Sequence, residues 1–471
     1  MSTPHPAGAA GFWTFDRVAD ALGPLLIDAR PRGSRALRAV CTDTRSLAPN
    51  DLFVALRGET HDAHEYLAPA VNAGAAALVV SRLENARALG VPVYHVHDTL
   101  AALGQLGRYR RRAWNGPVIA VAGSNGKTTT KELVRAALGG TLEVHATTGN
   151  LNNQIGVPLT LLAIPDGAHV AVVEIGTNSP GEVALLRAIA EPSMAVMTSV
   201  GEEHLEGLGD LAGVLREECA VFDGVPVAIV PSSQPEIADA ARARGARVVR
   251  AGLESGDVRA DRWSVSAEGL GRIEIGDVVI EPPLRGAHNL RNTMLALAAA
   301  AECGVPLAAA ARGIAAMTVP SMRTTWQSLG RATLVNDAYN SNPASARAAI
   351  EVLEGAGNAR QRVLVLGTMR ELGAHSDRMH DEIARLALAS RADVIAGIGE
   401  FAAALQRAGA HDSRVVTAAD VETLWPALAP RVAPDALIVL KASRGVRLER
   451  LVPSIEAWSR GAEPTRLTSQ H

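Results

Sequence analysis

The sequence predicts an α/β protein of three domains, and three observations carry that expectation. Short apolar runs alternate with Ala- and Leu-rich helical stretches along the chain, the pattern of βαβ units wound around parallel sheets. At 471 residues the chain is longer than one hydrophobic core supports. A glycine-rich loop, Gly123 to Gly126, stands between an apolar run and a helical one, the order a phosphate-binding turn requires.

In chain order, residues 1–11 are small and Pro/Gly-rich with neither a basic nor an apolar segment, so they read as a loose tail rather than a signal peptide. Strands are expected at 76–80, 118–122, 170–175, 195–200, 227–230, 362–367, 394–399 and 436–440. The basic stretch Arg108 to Arg112, followed by Asn115-Gly116-Pro117, marks a helix end and a turn. A second helical stretch ends near Val319-Pro320, which gives domains at 1–113, 114–319 and 320–471. Alternating short runs at 263–265, 272–275 and 278–280 suggest an antiparallel edge on the middle domain. The Ala-rich helix is expected to start at Thr293, with Asn289 and Asn292 opening it, one of them as a cap. Residues 461–471 read as a second loose end, and no repeat calls for a solenoid.

With 48% hydrophobic residues, 20% charged residues and a net charge of −3, nothing in the bulk calls for nucleic acid or an acidic membrane surface. No run reaches the roughly 18 apolar residues of a membrane span. Cys41, Cys219 and Cys303 are odd in number and far apart, as free thiols in a reducing compartment would be, so a cytoplasmic address is expected.

Of 46 basic residues only Lys127, Lys131 and Lys441 are lysines. A lysine that persists against such a bias does something arginine cannot, since a compact ammonium fits a phosphate cradle that a planar guanidinium does not. Lys127 and Lys131 therefore both point to nucleotide phosphates. Backbone N–H groups of Gly123, Ser124, Asn125 and Gly126 would converge on phosphate, Lys127 would reach the β- and γ-phosphates, and the Thr128 hydroxyl would meet Mg²⁺. The common pattern has a further glycine where this chain has Val121. A glycine-rich turn that merely opens a helix is the alternative.

Polar residues follow the apolar strands directly, where ligands bind in open α/β sheets. Glu174 ends one strand and His204 lies beyond another, so both are candidate ligands of a second Mg²⁺. Glu174 could instead cap a helix or pair with a cation, and Glu202, Glu203 and Glu206 read as a solvated acidic turn. The segment Thr147-Thr148-Gly-Asn150-Leu-Asn152-Asn153 offers amide donors and acceptors suited to sugar hydroxyls, peptide groups and phosphates, or forms a plain Asx turn. Asp337, Tyr339 and Asn340 repeat the theme after a later strand.

These motifs, together with His288-Asn289-Leu-Arg-Asn292, Arg323 and the segment Leu366 to Gly373 with His380, resemble the Mur ligases in family order over roughly residues 40 to 450. The resemblance implies a three-domain Mur ligase architecture with a central P-loop-type ATPase domain and a C-terminal Rossmann-like domain that closes over ATP. It implies the branch that joins D-alanyl-D-alanine to UDP-N-acetylmuramoyl-tripeptide through an acyl phosphate, with ATP and Mg²⁺ as cofactors, and a monomer is expected. Gly123 to Thr129, Asn289, Asn292, Arg323 and Asp337 would hold ATP. Thr44, Arg45 and Ser46 are similar to the part that holds the UDP end, and Thr147, Thr148, Asn150, Asn152, Asn153, Tyr339 and Asn340 would meet the substrates.

One departure stands out. Many members of that family use a carbamylated lysine, in a helix after the His-Leu-Glu segment, to bind the second Mg²⁺, and an ungapped match puts Glu218 there. With Lys127, Glu174 and His204 it completes the expected catalytic set, and with Thr128, Glu174 and His204 the expected metal set. Either Glu218 supplies a carboxylate directly, or the second metal is handled differently, or activity is impaired, and a surface glutamate is the plainer alternative. Two rivals stay open: a sister ligase that adds another amino acid, and a P-loop ATPase or switch protein that makes no amide bond.

Overall fold

The computed structural model describes residues 11–28, 31–58, 60–319, 325–357 and 359–461. Arg323, the expected boundary at 320, and most of both expected tails lie outside these residues.

Four sheets organise the chain. Near the N-terminus Val40–Cys41, Leu52–Val54, Ala77–Val80 and Val93–His95 pair in that order, all parallel. The largest sheet has seven parallel strands, with Val118–Ala122 between Met194–Met197 and Val170–Glu174. Each of these three is buried along its whole length, as expected of parallel strands covered on both faces. Core from one face reaches the helices Lys127–Gly139 and Ala287–Glu302, and core from the other reaches Glu182–Ala190. A six-stranded sheet follows, in which Thr325–Leu329 runs antiparallel beside Ala332–Asp337 and the remaining strands are parallel. All eight strands expected from the apolar runs are present within a residue or two, except that the run at 195–200 ends at Met197 and continues as a loop.

Two expectations change. Arg262–Val265, Gly271–Ile275 and Val278–Ile280 form a separate antiparallel sheet rather than an edge of the large one. Its strands pair only with one another, and its Ile273 and Ile280 are buried with Leu290 and Met294 of the long helix, so this small sheet packs on a helix face instead of joining the parallel sheet. The Ala-rich helix starts at Ala287, capped by Gly286, so Asn289 and Asn292 lie inside it, both buried. Asn289 Nδ2 donates to the Arg285 carbonyl at 2.8 Å.

Candidate active site

Strand order places the site. The carboxyl ends of Val118–Ala122, Val170–Glu174 and Met194–Met197 lie side by side, so the loops that leave them share one edge of the sheet. A cavity of about 580 Å³ opens there. Its walls include the phosphate loop from Ser124 to Thr129, Glu174, Glu203, His204, Asn289 and Asn292, and, from the six-stranded sheet, Asp337, Tyr339, Asn340 and Lys441.

The loop needs its glycines. Gly123 has φ +116°, and a Cβ there would stand 2.5 Å from Thr198 Oγ1. Gly126 has φ +82° and its Cβ would meet Asn292 Nδ2 at 2.8 Å. Both are positions that only glycine fills without displacement. The expected ring of N–H donors is partly spent inside the protein, however. Gly123 N–H donates to Glu218 Oε2 at 2.8 Å, Ser124 N–H to the Ser199 carbonyl at 2.7 Å and Asn125 N–H to Ser199 Oγ at 3.2 Å. These bonds fix the loop's shape and leave the N-terminus of the helix Lys127–Gly139, with Lys127 at its start, facing the cavity. Lys127 Nζ folds over the loop, donating to the Gly123 carbonyl at 2.5 Å and lying 3.5 Å from Glu203 Oε1.

Glu203 is therefore no solvated turn residue: it is 4% exposed and its Oε1 lacks a hydrogen bond. Lys131 is corrected as well. It is fully buried, with Nζ donating to the Thr147 carbonyl at 2.7 Å and paired with Glu132 at 2.8 Å, so it pins the asparagine-rich segment and contacts no part of the cavity. Lys441 Nζ bonds Asp337 Oδ2 at 2.7 Å and the Asn340 carbonyl at 2.8 Å, bracing the segment that faces the phosphate loop.

Glu174 is 1% exposed. Its Oε1 accepts from Thr128 Oγ1 at 3.1 Å and Asn152 Nδ2 at 2.9 Å, while Oε2 is buried with no hydrogen-bond partner. A hydroxyl and a carboxylate with an orphaned oxygen at a phosphate loop fit Mg²⁺, which prefers oxygen donors. Among the described residues no three His, Cys, Asp or Glu side chains form a metal cage, so Glu174, His204 and Glu218 are not gathered into one cluster.

Glu218 is buried beneath the loop, not at the surface, and is absent from the cavity wall. Burial pushes its carboxyl up to about 7, against the pull of Lys127 and with the push of Glu203. His204 is desolvated, which lowers its pKa, yet the carboxylates of Glu371 and Glu203 outweigh that and raise it.

The remaining expected residues divide. Asn150, Asn152, Asn153, Tyr339 and Asn340 line the cavity, whereas Thr147 and Thr148 do not. Thr147 is buried, and its hydroxyl accepts from the Glu174 N–H at 3.0 Å. Thr44, Arg45 and Ser46 follow the strand Val40–Cys41 of the first sheet, outside the cavity wall, and Ser46 Oγ donates to the Asp43 carbonyl at 3.1 Å.

Residues 121–300 match the Mur ligase middle domain and residues 322–444 the Mur ligase, glutamate ligase domain. The UDP-N-acetylmuramoyl-tripeptide–D-alanyl-D-alanine ligase of Bacillus subtilis (strain 168) is 34% identical over 427 residues, 89% of this chain and 93% of that protein. Crystal structure I of MurF from Acinetobacter baumannii superposes with a TM-score of 0.87 at 30% identity, covering 96% of this chain and 99% of that one. The MurF ligase of Thermotoga maritima in complex with ADP gives 0.79 at 25% identity, covering 90% and 98%.

Proposed function

The chain belongs to the Mur ligase family, and from that premise we propose that it uses ATP to join D-alanyl-D-alanine to UDP-N-acetylmuramoyl-tripeptide, the step that completes the pentapeptide precursor of peptidoglycan. The observation that carries this reading is the single cavity in which the phosphate loop and Lys127 face Asp337, Tyr339 and Asn340 from another sheet. A nucleotide on one wall and an amine acceptor on the other are what an ADP-forming amide ligase must bring together.

The chemistry begins with two anions. The terminal carboxylate of the tripeptide must approach the γ-phosphate, and repulsion between them is the first barrier. Lys127 places a cation there, on a helix N-terminus that adds its own positive end. Thr128 and Glu174 would hold Mg²⁺, and by the family resemblance His204 and Glu218 would serve a second ion; such ions would supply charge neutralisation of the phosphates. The carboxylate oxygen takes the γ-phosphoryl group as its bond to the β-phosphate oxygen breaks, releasing ADP; the dipeptide amine then attacks the acyl phosphate, and loss of a proton and of phosphate leaves the amide. Asp337, held by Lys441 on the facing wall, would reach across to the nucleotide with Asn289 and Asn292, while Tyr339 and Asn340 beside it would meet the acceptor. Arg323 keeps its nucleotide role in this proposal through the family resemblance alone.

The division at 113 and 319 belongs to the same proposal, supported by the separate N-terminal, central and C-terminal sheets. So does a cytoplasmic address, supported by three free cysteines. Among the described residues no helix is long and apolar enough to cross a membrane.

Phosphate release with UDP-N-acetylmuramoyl-tripeptide, with and without D-alanyl-D-alanine, tests the function. Release that depends on both substrates is expected. Nucleotide hydrolysis indifferent to either would mark a P-loop switch protein instead.

A further inference from the structure

His204 and Glu371 are 167 residues apart in sequence, yet His204 Nδ1 hydrogen-bonds Glu371 Oε2. Their loops leave the carboxyl ends of strands in different sheets, Met194–Met197 and Arg362–Leu366. Both residues hold left-handed backbone, with φ 51° and 65°, a conformation that non-glycine residues keep only where surrounding contacts impose it. Those contacts are present. Glu206 N–H donates to the Glu371 carbonyl at 3.1 Å, and His375 Nε2 donates to the Gly209 carbonyl at 3.2 Å. Gly373 lies so close that a Cβ would stand 3.1 Å from Glu206 Cα. The two loops are zipped together along their length.

The side-chain bond decides how the imidazole faces the cavity. An ionised carboxylate only accepts, so Nδ1 carries a proton in the neutral ring. Nε2 is then turned the other way, 3.8 Å from Glu203 Oε2 and towards the side where Glu203 meets Lys127. A histidine that must offer one nitrogen to a site is commonly fixed through the other by a carboxylate. Here the carboxylate comes from a different sheet than the histidine.

We propose that Glu371 is the positioning residue of His204, so that the orientation and tautomer of this phosphate-site histidine are set only when the loop 371–375 is seated on the loop 204–209. The inference rests on the ligase reading for the role of His204, but the pairing itself is testable without turnover. Seating of the C-terminal sheet thereby completes the metal and phosphate side of the site as well as the acceptor side.

The test uses Glu371→Gln and Glu371→Ala in the full chain, with His204→Ala and the double variant His204→Ala/Glu371→Gln. Mn²⁺ binding in the presence of a non-hydrolysable ATP analogue is followed by electron paramagnetic resonance. The tautomer is read from ¹⁵N-histidine spectra, with the His204 signal assigned by its loss in His204→Ala. Expected for Glu371→Ala are a fall of about 10- to 100-fold in kcat or in Mn²⁺ affinity, a KM for ATP within about threefold of wild type, and movement of the His204 proton off Nδ1, with a smaller change for Glu371→Gln, whose amide oxygen still accepts from Nδ1–H. The double variant should be no worse than His204→Ala alone, because the glutamate acts through the histidine. Wild-type Mn²⁺ affinity and tautomer in both Glu371 variants, or penalties that multiply in the double variant, would overturn the inference. Failure of the ligase reading would show separately, as a wild-type enzyme that releases no phosphate with both substrates while the Mn²⁺ and tautomer measurements still report on the pair.

Discussion

The backbone N–H of Gly123 donates to Glu218 Oε2 at 2.8 Å, joining the first residue of the phosphate loop to the last residue of the helix Leu211–Glu218. The second carboxyl oxygen of Glu218 is buried without a hydrogen-bond partner. A half-satisfied carboxyl under a phosphate loop is costly to ionise unless a cation arrives to share it.

From this follows the first prediction. A lysine carbamate needs CO₂, whereas a glutamate does not, so activity is expected to be unchanged by bicarbonate and Glu218→Gln to lose at least about 100-fold, the amide being unable to balance a divalent cation. The charge is not permanent across the neutral range, though. With the folded carboxyl pushed up to about 7 from an ordinary 4.5, the folded protein binds the extra proton between these values, so the contribution to stability is fullest below pH 4.5 and is lost as pH rises through 7. Activity that needs the carboxylate rises over the same interval. Metal-free Glu218→Gln should therefore be more stable than wild type at pH 8, by on the order of 1–3 kcal/mol, and gain nothing at pH 4.5. Thermal unfolding at the two pH values checks the sign, and equal Tm differences at both would remove the titration from the account.

Glu174 gives the second. Because Oε1 already accepts from Thr128 and Asn152, Oε2 is the oxygen left for Mg²⁺. Glu174→Gln should raise the Mg²⁺ concentration for half-maximal activity about tenfold or more while leaving circular dichroism unchanged, and His204→Ala should shift it in the same direction. Identical magnesium titration curves for both variants and wild type would remove the pair from the metal site.

How much of this was legible follows from where each signal sits. The phosphate loop and the strands were readable because their residues are consecutive and their apolar runs are short and unbroken. The family resemblance points to Glu218, but nothing in the sequence shows its burial, since a Glu-Glu pair in a helix looks solvated until Gly123 is known to lie over it. Glu203 was misread for the same reason: three acids within five residues resemble a surface turn, and only the fold puts one of them against Lys127. Lys131 misleads by proximity, because four residues along a helix keep a side chain on the same face but move it about 6 Å farther down the axis, away from the loop and onto the carbonyls of Thr147 and Gly149. No local pattern could pair His204 with Glu371, a contact that exists only after two sheets have packed.

Lys131 supplies the third prediction. Its ammonium is 1% exposed, satisfies two carbonyls and pairs with Glu132. Lys131→Met removes that charge and leaves Glu132 with Arg135 alone, which should destabilise the fold by about 2–4 kcal/mol. Affinity for ADP should stay within a few-fold. Urea unfolding and nucleotide titration separate the outcomes: unchanged stability with lost ADP binding would return this lysine to the phosphates.

Lys127 supplies the last. Its Nζ reaches the Gly123 carbonyl at 2.5 Å, the Ser124 carbonyl at 3.3 Å and Glu203 Oε1 at 3.5 Å, in a niche where the side chain is 14% exposed. Three oxygens around one nitrogen make a site for a point charge. A guanidinium delivers its charge as a flat fork about twice as wide, with donors fixed in one plane. Lys127→Arg therefore keeps the charge and loses the fit, and should cost about 100- to 1000-fold in kcat, close to the loss in Lys127→Ala. Comparison with Glu203→Gln distinguishes fit from charge, since that variant leaves the ammonium in place without its carboxylate neighbour and should lose much less. Near-wild-type turnover by Lys127→Arg would mean that charge alone suffices, and that the three oxygens around Nζ do not set the geometry of phosphoryl transfer.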